Sequence, residues 1–106
     1  MTVTSLRAGA ALVNYSGSGI ANTPPFTATT PAVMVTVRVS ANDPSLASVA
    51  WILYATNSSI LTSEGQVSGK VGTFVLYAYN LTPGTNYYLS VLSVGANWQI
   101  TVNATT

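Results

Sequence analysis

Residues 86–102, NYYLSVLSVGANWQITV, decide the fold class. Tyr87, Leu89, Val91 and Ser93 alternate with Tyr88, Ser90, Leu92 and Val94. Past Gly95-Ala96-Asn97, Trp98, Ile100 and Val102 alternate with Asn97, Gln99 and Thr101. A period of two places one set on each face of a sheet. The second run has one apolar and one polar face, as a strand does when it covers a core on one side and meets water on the other. The spacing predicts two strands folded back on a tight turn at 95–97.

The rest of the chain repeats this grammar. Val33, Val35, Val37 and Val39 form an unbroken β-branched face, with Met34, Thr36, Arg38 and Ser40 opposite. Valine packs well on a pleated surface and loses rotamer freedom in a helix. Residues 49–55, VAWILYA, are apolar on both faces, which suits a central strand or one whose outer face a partner covers. Residues 73–80 alternate Phe74, Leu76 and Ala78 with Val75, Tyr77 and Tyr79. Weaker strands are expected at 10–15, 26–30 and 60–64. Residues 16–19 (SGSG), 41–45 (ANDPS), 56–59 and 65–72 (GQVSGKVG) read as turns or loops. Pro24 and Pro25 force extended backbone at a sheet edge. Pro83-Gly84 fits a type II turn. The sum is about eight strands and no helix, a single antiparallel β-sandwich of jelly-roll or immunoglobulin-like topology. Residues 1–9 read as an extended arm, 10–106 as the sandwich, and 103–106 as a polar tail.

Of 106 residues, 48% are hydrophobic, enough for a core in one domain. Only 5% are charged, against about 25% in ordinary proteins. Arg7, Arg38, Lys70, Asp43 and Glu64 are all of them, and the net charge is +1. A surface built from Ser, Thr, Asn, Gln and Tyr repels its neighbours weakly and favours association. Three scattered cations cannot supply a phosphate-binding or anionic-lipid-binding face, so neither nucleic acid nor membrane is an expected partner. Without cysteine or histidine, disulfides, thiol nucleophiles and imidazole chemistry are excluded. The N-terminal stretch lacks the basic and long apolar regions of a secretion signal, and Met1 favours synthesis in the cytoplasm.

No catalytic constellation emerges, no cofactor is expected and the chain reads as non-enzymatic. Asp43 lies in an Asn-Asp-Pro turn and Glu64 at a strand end, so a glycosidase pair or a calcium site is not indicated. Gly65, Gly69 and Lys70 have phosphate-loop spacing, but Val71 stands where Ser or Thr is needed and no helix follows. Ser68 beside Lys70 is adjacency rather than dyad geometry. Four Asn-x-Ser/Thr sequons begin at Asn14, Asn57, Asn80 and Asn103, which the Ser/Thr-rich composition accounts for. Trp98 between Asn97 and Gln99 can be read as a sugar-stacking platform. It shares a face with Ile100 and Val102, and the core reading is preferred. Tyr54, Tyr77, Tyr79 and Tyr88 are candidate interface aromatics.

The order Ser16-Gly-Ser-Gly, Thr23-Pro-Pro-Phe26-Thr, Gly84-Thr-Asn-Tyr-Tyr-Leu89 and Asn97-Trp-Gln-Ile-Thr-Val102 resembles small β-sandwich domains of bacterial surface and phage-encoded proteins. With its short length and uncharged Thr/Ser/Val-rich surface, the chain also resembles phage capsid decoration, or cement, proteins. That resemblance implies a structural role on the capsid surface. The partners would be the major capsid protein or other copies of the chain, in a homo-oligomer. Thr2, Thr4 and Arg7 of the arm would then clasp a neighbour, and deleting residues 1–7 would weaken assembly and spare the fold. The alternatives are a carbohydrate-binding or cell-surface adhesion module, extracellular in location, and a subunit of an extracellular filament.

Overall fold

The computed structural model describes residues 8–105, and the arm residues Thr2, Thr4 and Arg7 lie outside them. The β-branched and alternating runs form nine strands: β1 (Ala8–Ser18), β2 (Ala21–Asn22), β3 (Phe26–Thr27), β4 (Val33–Ser40), β5 (Ser48–Ala55), β6 (Leu61–Ser68), β7 (Gly72–Ala78), β8 (Asn86–Val94) and β9 (Asn97–Thr105). One 3-10 turn, Pro44–Leu46, connects β4 to β5. Asp43 caps it, its carboxylate accepting from the Ser45 N–H at 3.2 Å and the Ser45 hydroxyl at 2.7 Å.

The ladders show how the chain is wound. β1 pairs with β9, β2 and β3 with β8, β4 with β7, and β5 with β6, all antiparallel. These are the rungs of one long hairpin whose tip is the β5–β6 turn. Rolling that hairpin up adds two ladders, β4–β9 and β5–β8. The result is two sheets, A in the order β1-β9-β4-β7 and B in the order β2-β8-β5-β6, with β3 continuing the β2 edge along β8. This is a jelly roll. An immunoglobulin-like sandwich would keep the last two strands side by side in one sheet. Here β8 belongs to sheet B and β9 to sheet A.

The tight turn expected at 95–97 therefore does not close a hairpin. It carries the chain from one sheet to the other. Gly95 has φ +65, and a Cβ there would stand 2.8 Å from the Leu46 carbonyl oxygen. The crossover is pressed onto the 3-10 turn, where only glycine fits.

Inward faces make the core. β4 contributes Val33, Val35, Val37 and Val39, and β9 contributes Trp98, Ile100, Val102 and Ala104. From sheet B come Val49, Trp51 and Leu53 on β5, and Tyr87, Leu89 and Val91 on β8. Full burial of each such aliphatic chain stabilises the fold by about 1.5–3 kcal/mol. Residues 103–105, read as tail, continue β9. Ala104 and Thr105 are buried there, with the Thr105 hydroxyl donating to Ala32 O at 2.8 Å.

Two glycine-rich stretches read as turn and loop are partly strand. Residues 16–18 belong to β1 and residues 65–68 to β6. The reason is the same in both sheets. Gly17 lies opposite Trp98 and Gly65 opposite Trp51. Each indole lies across the bare backbone of its partner: a Cβ would come within 3.1 Å of the Trp98 ring at Gly17 and 2.5 Å of the Trp51 ring at Gly65. A large ring over a strand glycine replaces the side-chain packing the glycine lacks.

The β2–β3 edge breaks at Pro24-Pro25, which have no N–H to give to a ladder. Thr23, buried at the break, spans it. Its N–H donates to Leu89 O at 2.9 Å and its hydroxyl accepts from the Leu89 N–H at 3.0 Å. The side chain stands in for a ladder carbonyl. Thr23→Val is expected to lower stability by about 1–3 kcal/mol, because it leaves a buried N–H unpaired. Thr23→Ser should recover much of that loss. Equilibrium urea unfolding of the pair checks this, and equal stability of the two variants would show that the bond contributes nothing.

After β7, Pro83-Gly84 makes the expected turn: Gly84 has φ +90 and the Thr85 N–H donates to Thr82 O at 3.1 Å. The Tyr87 hydroxyl then accepts from the Thr82 N–H at 2.8 Å, tying the start of β8 to the corner before it.

Candidate interaction surfaces

The two outer faces differ. On sheet A, register aligns Ser16, Gln99, Arg38 and Thr73 in one row and Asn14, Thr101, Thr36 and Val75 in the next. Gln99 Nε2 donates to Asn14 Oδ1 at 3.1 Å. These rows are amide, hydroxyl and one guanidinium, with the exposed Val75 as their apolar member at the β7 edge. On sheet B, register sets Ser48 beside Val94, Ala50 beside Leu92, Ile52 beside Ser90 and Tyr54 beside Tyr88. The two tyrosine rings are 5.7 Å apart, centroid to centroid. Ile20, one residue before β2, comes level with Leu92, and it is 74% exposed. Val94 is 70% exposed. Glu64 and Gln66 on β6 border this apolar area at its edge.

The second tyrosine pair is elsewhere. Tyr77 is on β7 of sheet A and Tyr79 follows it, their centroids 6.4 Å apart. Val75 and Tyr79 are each about half exposed there. So the four candidate interface tyrosines divide into one pair on the face of sheet B and one pair at the edge of sheet A.

Trp98 is not a surface platform. It is 3% exposed, its indole N–H donates to Gly19 O at 3.2 Å, and Tyr15 packs beside it at 6.1 Å. A sugar ring cannot stack on it. Its neighbours Asn97 and Gln99 do reach the surface of sheet A, but Gln99 is engaged by Asn14 and no aromatic ring lies between them.

At one end of the sandwich a depression of about 480 Å³ is lined by Ser18, Ser40, Asn42, Ser93 and Asn97 with the glycine backbone. It offers hydroxyls and amides, and neither carboxylate borders it. No cluster of three or more His, Cys, Asp or Glu occurs among the described residues. Comparison with known proteins returned no match to a family model, a curated sequence or a solved structure.

Sequence reading picked out the tyrosines and placed Leu92 and Val94 on the face of Tyr88, but named neither as a contact and missed Ile20. The signal was present in β5, whose two apolar faces pointed to a covered outer side. What tied that hint to β8 was register, which sets Leu92 and Val94 next to Ala50 and Ser48.

Proposed function

We propose that this chain is a non-enzymatic structural protein that works by assembly, specifically a virion accessory of the capsid decoration or cement class. The observation that carries the reading is the outer face of sheet B. The core is already closed between the sheets, yet Ala50, Ile52, Tyr54, Tyr88, Leu92 and Val94 give the protein a second, outward apolar face. A contiguous apolar patch on a surface with so few charges marks a protein–protein contact. The three long strands of sheet B, β8, β5 and β6, about 4.8 Å apart and about eight residues long, cover roughly 380 Å². A standard interface takes about 800 Å² per partner. Rim residues such as Ile20 and Leu61, both exposed, extend this area toward that size.

Jelly rolls serve viral capsids and lectins alike, and fold alone does not choose between them. The burial of Trp98 takes the tryptophan platform from the sugar-binding reading, which leaves it only the exposed tyrosines. The partner in the preferred reading is the major capsid protein, with copies of the chain on neighbouring sites.

The double variant Leu92→Glu, Val94→Glu tests this. Both side chains already meet solvent, so stability should stay within about 1 kcal/mol of the parent. Binding to capsids stripped of this protein should fall roughly 10- to 100-fold, from two lost apolar contacts and two buried charges. Co-sedimentation reads the difference, and unchanged binding removes sheet B as the contact.

A further inference from the structure

Among the described residues the jelly roll has four free strand edges, and three of them are blunted. An edge strand offers a row of unpaired N–H and C=O groups, which proteins protect with bulges, prolines, charges or short strands. β1 has register shifts between Ala8 and Ala11 and between Ala11 and Val13. The β2–β3 edge consists of two two-residue strands separated by Thr23-Pro24-Pro25. β6 has a register shift opposite Leu53–Tyr54, carries Glu64, and uses the Ser63 hydroxyl to accept the Tyr79 N–H at 3.4 Å. β7 itself, Gly72–Ala78, has none of these; the backbone group engaged beside it is the Tyr79 N–H, just past its end, held by Ser63. β7 runs in unbroken register with β4 from Val39↔Gly72 to Val33↔Ala78, without charge, proline or bulge. Three exposed apolar residues, Val71, Val75 and Tyr79, flank or belong to this edge.

We propose that β7 is the self-association edge of this protein, pairing antiparallel with β7 of a second copy so that the two A sheets become one eight-stranded sheet. The inference rests on the assembly reading above and names its contact between copies. Several observations select a second copy as the occupant. The centre of Gly72–Ala78 is Val75, so a twofold axis there gives full overlap. It sets Val75 against Val75, Thr73 against Tyr77 and Val71 against Tyr79. These are β-branched and aromatic cross-strand pairs of the kind that stabilise antiparallel sheets. On the inner side it sets Phe74 against Leu76. Both are only half buried in one chain, above a groove of about 540 Å³ along the β6–β7 seam. The charge pattern agrees: Lys70 is the cation beside this edge, held 5.9 Å from the Phe74 ring, and antiparallel pairing sends the two lysines to opposite ends. Because the other three edges are blunted, the pairing closes at two copies and does not propagate.

Single-cysteine variants test the register, since the chain has no cysteine of its own. Oxidised Val75→Cys should form a disulfide-linked dimer, because directly opposed residues lie within the Cα separation a disulfide spans. Val94→Cys, on the face of sheet B and more exposed than Val75, should not link at the same rate. Val75→Lys places two ammonium groups at the axis and should weaken dimerisation at least about tenfold by sedimentation velocity. Circular dichroism should be unchanged, since Val75 points outward. A chain that associates but is insensitive at position 75 overturns the β7 edge and leaves the assembly reading standing. Association abolished by deleting residues 1–7, without Val75→Cys linkage, assigns the contact to the arm and also overturns it. Position-75 linkage together with capsid binding insensitive to Leu92→Glu, Val94→Glu sustains the edge while the capsid contact fails.

Discussion

Trp98→Ala should cost about 3–5 kcal/mol, the range for removing a buried aromatic. Small domains have roughly 5–15 kcal/mol in all, so this variant approaches the unfolding threshold at 37 °C. Three losses combine. The ring leaves a cavity between β9 and the edge strand β1. The bond from its N–H to Gly19 O disappears, which frees the end of β1. Gly17 then has nothing covering it. Trp98→Phe should retain most of the packing and lose the hydrogen bond, a cost of about 1–2 kcal/mol. Trp51 provides the contrast. Its Nε1 is buried with no hydrogen-bond partner. Trp51→Phe removes an unsatisfied donor along with some volume, so it should cost less than Trp98→Phe. Urea unfolding of the three variants decides it. A Trp98→Ala protein as stable as the parent would show that the ring is not part of the core.

Gly65→Ala should cost about 3 kcal/mol, more than its chemistry suggests. A methyl group there would meet Trp51 ring atoms at 2.5 and 2.6 Å. Trp51 is 1% exposed, so its ring has no open space to enter. Overpacking of this kind usually costs 1–3 kcal/mol, and occasionally more. Gly17→Ala meets the Trp98 ring at 3.1 Å, which a small tilt relieves. It should cost about 1 kcal/mol. In a domain of this size the pair should differ by roughly 8–16 °C in Tm, measurable by differential scanning fluorimetry. Equal Tm values would mean that the two indoles yield equally.

These glycines also show where sequence reading stopped. The strand at 33–40 was legible to the residue because four valines alternate with polar partners and nothing competes. SGSG and GQVSG read as loops because glycine has poor strand propensity. Cross-strand indoles overrode that preference, and the pairing Gly65↔Trp51 is invisible until register is known. The alternation of 86–102 was legible on both faces. Whether two residues between strands close a hairpin or step across a sandwich is decided by what the turn packs on, here the carbonyl of Leu46. The tyrosines were legible as candidates. That Tyr54 and Tyr88 are neighbours on one sheet while Tyr77 and Tyr79 lie at the edge of the other follows from winding alone.

That winding has a kinetic consequence. The β5–β6 pair closes a short loop, but each rung outward joins residues farther apart, ending with Ala8 against Thr105. Loop-closure entropy rises with every rung, and folds dominated by such distant pairings form in milliseconds to seconds rather than microseconds. The outermost rung, β1 on β9, covers Trp98 through Gly17. The last strand to find its place is thus the one that completes the core. A chain still lacking it would expose β9 as a fresh edge, open to the first neighbour it meets.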